Sequence, residues 1–208
     1  MIFACASMGG QQMVQVYICK TGAERPAGFT HRLVRHIAAR YGGMDGERIT
    51  IAGTPGGKPY IQDADSFHFN VSHSGDWVVC AVHTQPVGID IEQVGRIDAT
   101  LYREHLSAAE YYALQALPRE EQQEHFYELW TLKESYMKQT GLGVQLAPSS
   151  FTIQATKTGY AVLQATGRPL TDIFFRQYDI AAGYKMAVCA IANKWGTPIW
   201  IGPADVTG

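Results

Sequence analysis

The sequence predicts an α+β chain of two similar α/β lobes facing each other across a cleft. Three observations carry that expectation. A helical pattern precedes a cluster of strand patterns twice along the chain. The run Val78-Val79-Cys80-Ala81-Val82 is echoed by Ala187-Val188-Cys189-Ala190-Ile191, about half the chain later. No low-complexity linker or shorter repeat interrupts the sequence. The expected division is an N-terminal lobe over residues 14–98 and a C-terminal lobe over 99–202, with 1–13 and 203–208 as tails. The run Ala6 to Met13 resembles an expression tag, so residues 1–13 stand outside the fold expectation.

Taken in order, Val14 to Cys19 reads as a strand. Thr30 to Arg40 has helical spacing, with Leu33, Ile37 and Ala38 on one side and Gly42-Gly43 as the stop. A short strand at Ile49 to Ile51 leads into the turn-rich run Gly53 to Pro59. Strands follow at Phe67 to Val71, Trp77 to Val82 and Val87 to Ile91. Ser107 to Ala116 is a helix, with Ser107 and Glu110 spaced as a capping box. A longer helix runs from about Glu121 to Gln139 and stops at Gly141. Strands return at Phe151 to Ala155, Ala161 to Gln164, Ile173 to Tyr178 and Lys185 to Ile191, and Ile199 to Ile201 is a last short one.

The composition is that of an ordinary globular protein, 46% hydrophobic and 17% charged over 208 residues. A net charge of -2 speaks against broad attraction to nucleic acid or membranes, while leaving room for a local basic site. No run approaches the roughly 18 apolar residues that span a bilayer, and the N-terminus has no secretory pattern, so a cytoplasmic protein is expected. Cys5, Cys19, Cys80 and Cys189 have no metal or Cys-x-x-Cys spacing and read as free thiols.

The sharpest motif is Val87-Gly88-Ile89-Asp90-Ile91-Glu92. Alternation makes it a strand, with Asp90 and Glu92 on one face roughly 7 Å apart and Ile89 and Ile91 turned into the core. Neighbouring carboxylates repel, and a cation relieves the repulsion. Mg2+ takes hard oxygen ligands and commonly shares one or two carboxylates with substrate phosphates. The same pair also fits a solvated strand edge. In Trp130-Thr131-Leu132-Lys133-Glu134-Ser135-Tyr136-Met137-Lys138, the residues Trp130, Glu134 and Lys138 form one helical stripe. Lys133 lies about 100° round from Glu134, within reach of a neighbouring region of the same cleft. A surface ion pair between Glu134 and Lys138, worth about 0.3 kcal/mol, accounts for that spacing as well.

Asn70-Val71-Ser72-His73-Ser74-Gly75 closes one strand and turns toward the next. Its hydroxyls, imidazole and backbone N–H groups suit phosphate oxygens, and its composition equally suits a polar hairpin turn. No Gly-x-Ser-x-Gly elbow surrounds Ser72, which speaks against a serine hydrolase. Gly56-Gly57-Lys58-Pro59 lets backbone approach a flat ligand while Lys58 pairs with a phosphate; it also fits a generic turn, and Walker spacing is absent.

In order and combination, Gly57-Lys58-Pro59, Phe69-Asn70-Val71-Ser72-His73-Ser74, Gly88-Ile89-Asp90-Ile91-Glu92 and Leu129 to Lys138 resemble the 4'-phosphopantetheinyl transferase superfamily, in its longer, pseudo-dimeric, surfactin-synthetase-activating type. Asp90 stands 43 residues before Lys133, which fits the family's spacing, and the resemblance covers roughly residues 55–192. It implies a monomer of two α/β lobes related by a pseudo-twofold axis, with coenzyme A in the cleft. It implies an Mg2+ site at Asp90, Glu92 and Glu134, with Glu110 as a further acidic position whose capping box is the competing explanation. Ser72, His73, Lys133 and Lys138 match positions that hold the coenzyme A phosphates. Lys58 and Pro59 match the segment around the adenine and its ribose phosphate. The sequence departs from the family in its short link from the first strand to the Thr30 helix, which leaves Lys20, Arg25 and Arg32 as candidates for the 3'-phosphate.

The implied reaction moves 4'-phosphopantetheine from coenzyme A to a serine of an apo acyl or peptidyl carrier protein, leaving 3',5'-bisphosphoadenosine. Asp90, Glu134 and Lys138 are the catalytic candidates, with Glu134 as base directly or through a metal-bound water. The carrier is expected near Tyr102, Arg103, Tyr111 and Tyr112, a region that also fits a solvated helix face. Two rivals remain: a magnesium-dependent nucleotide hydrolase using the same acidic cluster, and a carrier-binding module without catalysis, against which the full set Asp90, Glu92, Glu134 and Lys138 weighs.

Overall fold

The structure, a computed structural model, describes residues 13–22, 25–96 and 98–206. Residues 1–12 of the expected N-terminal tail lie outside the described residues. The chain opens with strand β1 (Gln15–Lys20), helix α1 (Phe29–Arg40) and a small hairpin of β2 (Ile51–Gly53) and β3 (Pro59–Ile61). Three longer strands follow, β4 (His68–Ser74), β5 (Trp77–His83) and β6 (Val87–Gln93). Helices α2 (Ala99–His105), α3 (Ala108–Gln115) and α4 (Arg119–Thr140) lead to a hairpin of β7 (Thr152–Thr156) and β8 (Gly159–Leu163). The chain closes with β9 (Phe174–Gln177), β10 (Tyr184–Ala190) and β11 (Ile199–Ile201). Among the described residues, no helix is long and apolar enough to cross a membrane.

Two main sheets form, in the orders β11-β1-β5-β4 and β6-β10-β9. They do not follow the division at residue 98. β6 lies before it yet pairs with β10, and β11 returns from the far end of the chain to run parallel to β1. Val206, in the expected C-terminal tail, is buried in the core beneath α1. The two echoed runs occupy β5 and β10, each an inner strand of its own sheet.

The layers follow from strand parity. Val16 and Ile18 of β1 and Val79 and Ala81 of β5 meet Ile89 and Ile91 of β6 and Met186 and Val188 of β10, which packs one sheet on the other. The opposite face of the first sheet, including Tyr17, Cys19, Val78 and Cys80, is covered by Leu33, Val34 and Ile37 of α1. The opposite face of the second sheet carries Ala187 and Cys189, beneath Leu129, Leu132 and Tyr136 of α4. β5 and β10 are therefore buried on both sides, which is why they read as unbroken apolar runs. Each fully buried Ile or Val contributes roughly 1.5–3 kcal/mol, so the inner face fixes the register of β6. A slip of one residue would turn Asp90 and Glu92 into the dry layer between the sheets.

α4 approaches β6 at backbone distance. A Cβ on Gly88 would overlap the Ser135 carbonyl oxygen and the Gln139 amide nitrogen, so only glycine fits there. A buried ion pair fixes α4 from its other side. Lys133 Nζ lies 2.9 and 2.7 Å from the two Glu110 carboxylate oxygens and 2.7 Å from the Phe151 carbonyl oxygen. Glu110 also accepts from the Ser107 and Ile153 amides, completing the expected capping box and tying α3 to α4 and to the start of β7.

Two outcomes follow. Gly88→Ala lowers stability by about 3 kcal/mol or prevents folding, read by urea denaturation followed by circular dichroism. Lys133→Met alone costs about 3–5 kcal/mol because it strands the Glu110 carboxylate, whereas Lys133→Met with Glu110→Gln, which removes the charge and keeps an acceptor for the Ser107 and Ile153 amides, regains part of that loss. Equal losses in the single and double variants would refute the stranded-charge account.

Candidate active site

β4 and β6 belong to different sheets and are joined by side chains. β4 runs as a strand through Ser74, three residues beyond its expected end at Val71, and the turn is made by Gly75, at φ 49°, and Asp76. Asn70, Ser72 and Ser74 therefore share one face. The Ile89 amide donates to Asn70 Oδ1 at 2.9 Å, Ser72 Oγ donates to Asp90 Oδ1 at 2.8 Å, and Ser74 Oγ donates to Glu92 Oε2 at 3.2 Å. Asn70 and Ser74 were not among the residues singled out in the sequence. Their period-two spacing with Ser72 was the available signal, masked by the turn-forming character of Asn, Ser and Gly.

From α4, Lys138 Nζ reaches Asp90 Oδ1 at 2.5 Å and Ser72 Oγ at 3.2 Å. Asp90 is 2% exposed, and its second oxygen, Oδ2, is buried without a hydrogen-bond partner. Burial pushes the Asp90 carboxyl up, against the pull of Lys138 and Ser72. Glu92 is pushed up to about 7, first by burial and then by the charge of Asp90. Glu134 also rises, chiefly by burial, with Lys138 and His105 opposing and Asp90 reinforcing. Trp130, one turn before Glu134, is held edge-on by His105 at 4.4 Å and stacks on Phe126. Hydrogen bonds thus join Ser72, Asp90 and Lys138, while Glu92 and Glu134 lie near enough to Asp90 and Lys138 to feel their charge.

His73, on the other parity of β4, is exposed. Its pKa falls through burial and then through the nearby charge of Arg25, whose Nε is buried without a hydrogen-bond partner. The other basic candidates are engaged elsewhere: Lys20 lies 5.4 Å over the Trp77 ring, and Arg32 donates to the Ala27 carbonyl.

Four expected site residues are not brought to this cluster. Lys133 is 0% exposed, with all three ammonium hydrogens directed at protein oxygens, so it does not face phosphates. Glu110, its partner, has both oxygens occupied by Lys133 and backbone amides and is not placed to ligate a metal. The 100° offset from Glu134 turns Lys133 toward α3 and Phe151. Lys58 Nζ lies against the carbonyl oxygens of Val87, Lys138 and Gln139, and Pro59 opens β3 opposite Gly53.

Among the described residues, no three His, Cys, Asp or Glu side chains are set to hold a metal by themselves. Asp90 and Glu92 nonetheless fit Mg2+ when substrate completes the shell: both are hard oxygen donors, Asp90 Oδ2 is unpartnered, and Mg2+ commonly takes one or two protein carboxylates with phosphate oxygens.

Comparison with known proteins identifies the family. Residues 86–189 match the 4'-phosphopantetheinyl transferase superfamily, and residues 3–85 match the 4'-phosphopantetheinyl transferase N-terminal family. The chain is 39% identical over 158 residues to 4'-phosphopantetheinyl transferase Sfp of Bacillus subtilis, covering 76% of this chain and 70% of that one. It is 40% identical over 157 residues to 4'-phosphopantetheinyl transferase psf-1 of Bacillus pumilus, covering 76% and 67%. A holo-(acyl-carrier-protein) synthase from Bacillus anthracis, solved in complex with CoA (3',5'-ADP), superposes loosely, with a TM-score of 0.40, 18% identity, and 50% of this chain and 92% of that one covered. The family match, over both halves of the chain, and the extent of the two Bacillus alignments establish that the chain belongs to the 4'-phosphopantetheinyl transferase superfamily.

Proposed function

We propose that this protein transfers the 4'-phosphopantetheine group of coenzyme A to a serine of an apo acyl or peptidyl carrier protein, with Mg2+, in a cleft between its two α/β halves. The observation that carries the reading is Asp90. It is a buried carboxylate whose one oxygen accepts from a hydroxyl of β4 and from an ammonium of α4, with the other oxygen unpartnered, in a chain of this family. Mg2+ bound by Asp90 and Glu92, with Glu134 completing the acidic site, would supply positive charge to the diphosphate oxygens.

The chain's own residues supply the rest. Lys138 keeps a fixed positive charge beside Asp90, where the departing 3',5'-bisphosphoadenosine gains negative charge. Glu134 is the base that takes the proton of the carrier serine as its oxygen bonds to the β-phosphorus, and its raised pKa brings it nearer to neutral operation. Ser72 and His73 orient phosphate oxygens, and Arg25, beside His73, is the candidate for the 3'-phosphate. The carrier docks near Arg103, which stacks 4.7 Å over Tyr111, and Tyr112, which is 69% exposed; this cationic and aromatic surface suits an acidic partner.

Incubation with coenzyme A, Mg2+ and a panel of apo-carriers, read by intact-protein mass spectrometry, tests the reading. Wild type adds one phosphopantetheine arm to a carrier. Asp90→Ala, checked for folding by circular dichroism, adds none. Coenzyme A breakdown with no carrier gain would point to hydrolysis instead.

The burial of Glu92, reinforced by the charge of Asp90, gives a second outcome. With Glu92 raised from 4.5 to about 7 on folding, the native state holds a proton that the unfolded state has released between those values. That contribution to stability is full below the unfolded pKa and is lost as pH rises through about 7. In a metal chelator, Glu92→Gln therefore gains urea midpoint over wild type as pH is raised from about 5 to about 8. A difference independent of pH would refute the raised Glu92 pKa.

A further inference from the structure

We propose that Lys58 is a positioning residue, whose ammonium fastens the last turn of α4 to the start of β6 and so sets the meeting of Lys138 with Asp90. This rests on the proposed transfer reaction and departs from the expectation that Lys58 touches the nucleotide.

The base of the β2–β3 hairpin fixes where Lys58 begins. The Thr54 amide donates to the Lys58 carbonyl at 2.9 Å, the Lys58 amide donates to Thr54 Oγ1 at 3.1 Å, and Gly57 sits at φ 82° between them. From there Nζ reaches the carbonyl oxygens of Lys138 at 2.6 Å, Val87 at 3.1 Å and Gln139 at 3.4 Å.

The last four carbonyls of an α-helix lack intrahelical partners and carry the negative end of its dipole. α4 ends at Thr140, so the Lys138 and Gln139 carbonyls are among those four. The Met137 carbonyl accepts from the Gly141 amide and from Thr140 Oγ1, while Lys58 serves Lys138 and Gln139. The third acceptor is on the other element: Val87 opens β6, three residues before Asp90. One ammonium thus grips the backbone of the residue whose side chain meets Asp90, and the strand that carries Asp90.

The contact cannot shift far, because the neighbouring backbones are already close. A Cβ on Gly56 would come 2.9 Å from the Gly141 carbonyl oxygen, and one on Gly143 would come 3.2 Å from the Gly56 carbonyl oxygen. With three acceptors for three hydrogens, nothing on Nζ is left to hold a phosphate. Removing the ammonium frees two helix-end carbonyls and the hinge between α4 and β6. Lys138 then loses the alignment that places its charge on Asp90, and a misplacement of about 1 Å at such a site costs on the order of a hundredfold in rate.

The test measures kcat and KM for coenzyme A in carrier loading by wild type, Lys58→Met and Lys58→Arg, with folding of each monitored by near-UV circular dichroism. A positioning role lowers kcat of folded Lys58→Met roughly 10- to 100-fold and leaves KM within about twofold, with Lys58→Arg recovering part of the rate. If Lys58→Met does not fold, Lys58→Arg carries the test on the same two constants: a lowered kcat at unchanged KM supports the proposal. A raised KM with kcat retained in the folded variant assigns Lys58 to the nucleotide and overturns it, as does no change in either constant. A wild type that loads no carrier at all overturns the transfer reaction, and this inference with it.

Discussion

A single buried carboxylate organises the functional half of this protein. Asp90 is taken out of water by the packing of β6 under α4, and an unpaired charge in such a place is costly. One oxygen is compensated twice over, by the Ser72 hydroxyl from β4 and the Lys138 ammonium from α4. Those two contacts draw three elements to one point. The surrounding features all serve the same approach: the missing Cβ at Gly88 lets α4 come down to the strand, and inward-facing Ile89 and Ile91 hold the register that turns Asp90 toward the helix. The other oxygen, Oδ2, is buried without a hydrogen-bond partner, which is the feature on which the proposed cation site rests.

What the sequence reveals here is what depends on near neighbours. Strand parity placed Asp90 and Glu92 opposite Ile89 and Ile91, helical spacing put Trp130, Glu134 and Lys138 on one stripe, and Ser107 and Glu110 form the capping box their spacing announces. The misjudged features depend on distant partners. Nothing local says that β6 leaves its hairpin neighbours to pair with β10, or that β11 crosses the whole chain to lie beside β1. Asn70, Ser72 and Ser74 look like a turn because each residue type favours one. Only the presence of β6 alongside makes their alternation a row of contacts between two sheets.

The lysines mark the same limit more sharply. Lys58, Lys133 and Lys138 all sit in motifs whose resemblance implies a grip on coenzyme A, and a motif does not show where an ammonium finally comes to rest. Lys133 is spent on Glu110 and Phe151, and Lys58 on three backbone carbonyls. Burial lowers the pKa of both, Lys58 to about 8, as it does for ammonium groups withdrawn from water. Lys138, at 28% side-chain exposure, stays partly open to solvent and meets Asp90 and Ser72. Of the three, Lys138 is thus the one that meets the acidic cluster, while Lys58 and Lys133 contact other parts of the fold.

That division bears on the charge the site must find from outside. With Lys58 and Lys133 committed elsewhere, the carboxylates of Asp90, Glu92 and Glu134 face the single ammonium of Lys138. Burial raises the pKa of Glu92 most, and the charges of Asp90 and, least, Glu134 add to it. A diphosphate entering such a cluster brings more negative charge, and screening by water is weakest where burial is deepest. Protonating the carboxylates would ease the repulsion but would also remove the base that Glu134 is proposed to be. A divalent cation held by Asp90 and Glu92 would meet both demands, supplying positive charge to the diphosphate while Glu134 stays able to accept a proton. The reassignment of two lysines from ligand to scaffold therefore strengthens the case for Mg2+ in the proposed reaction.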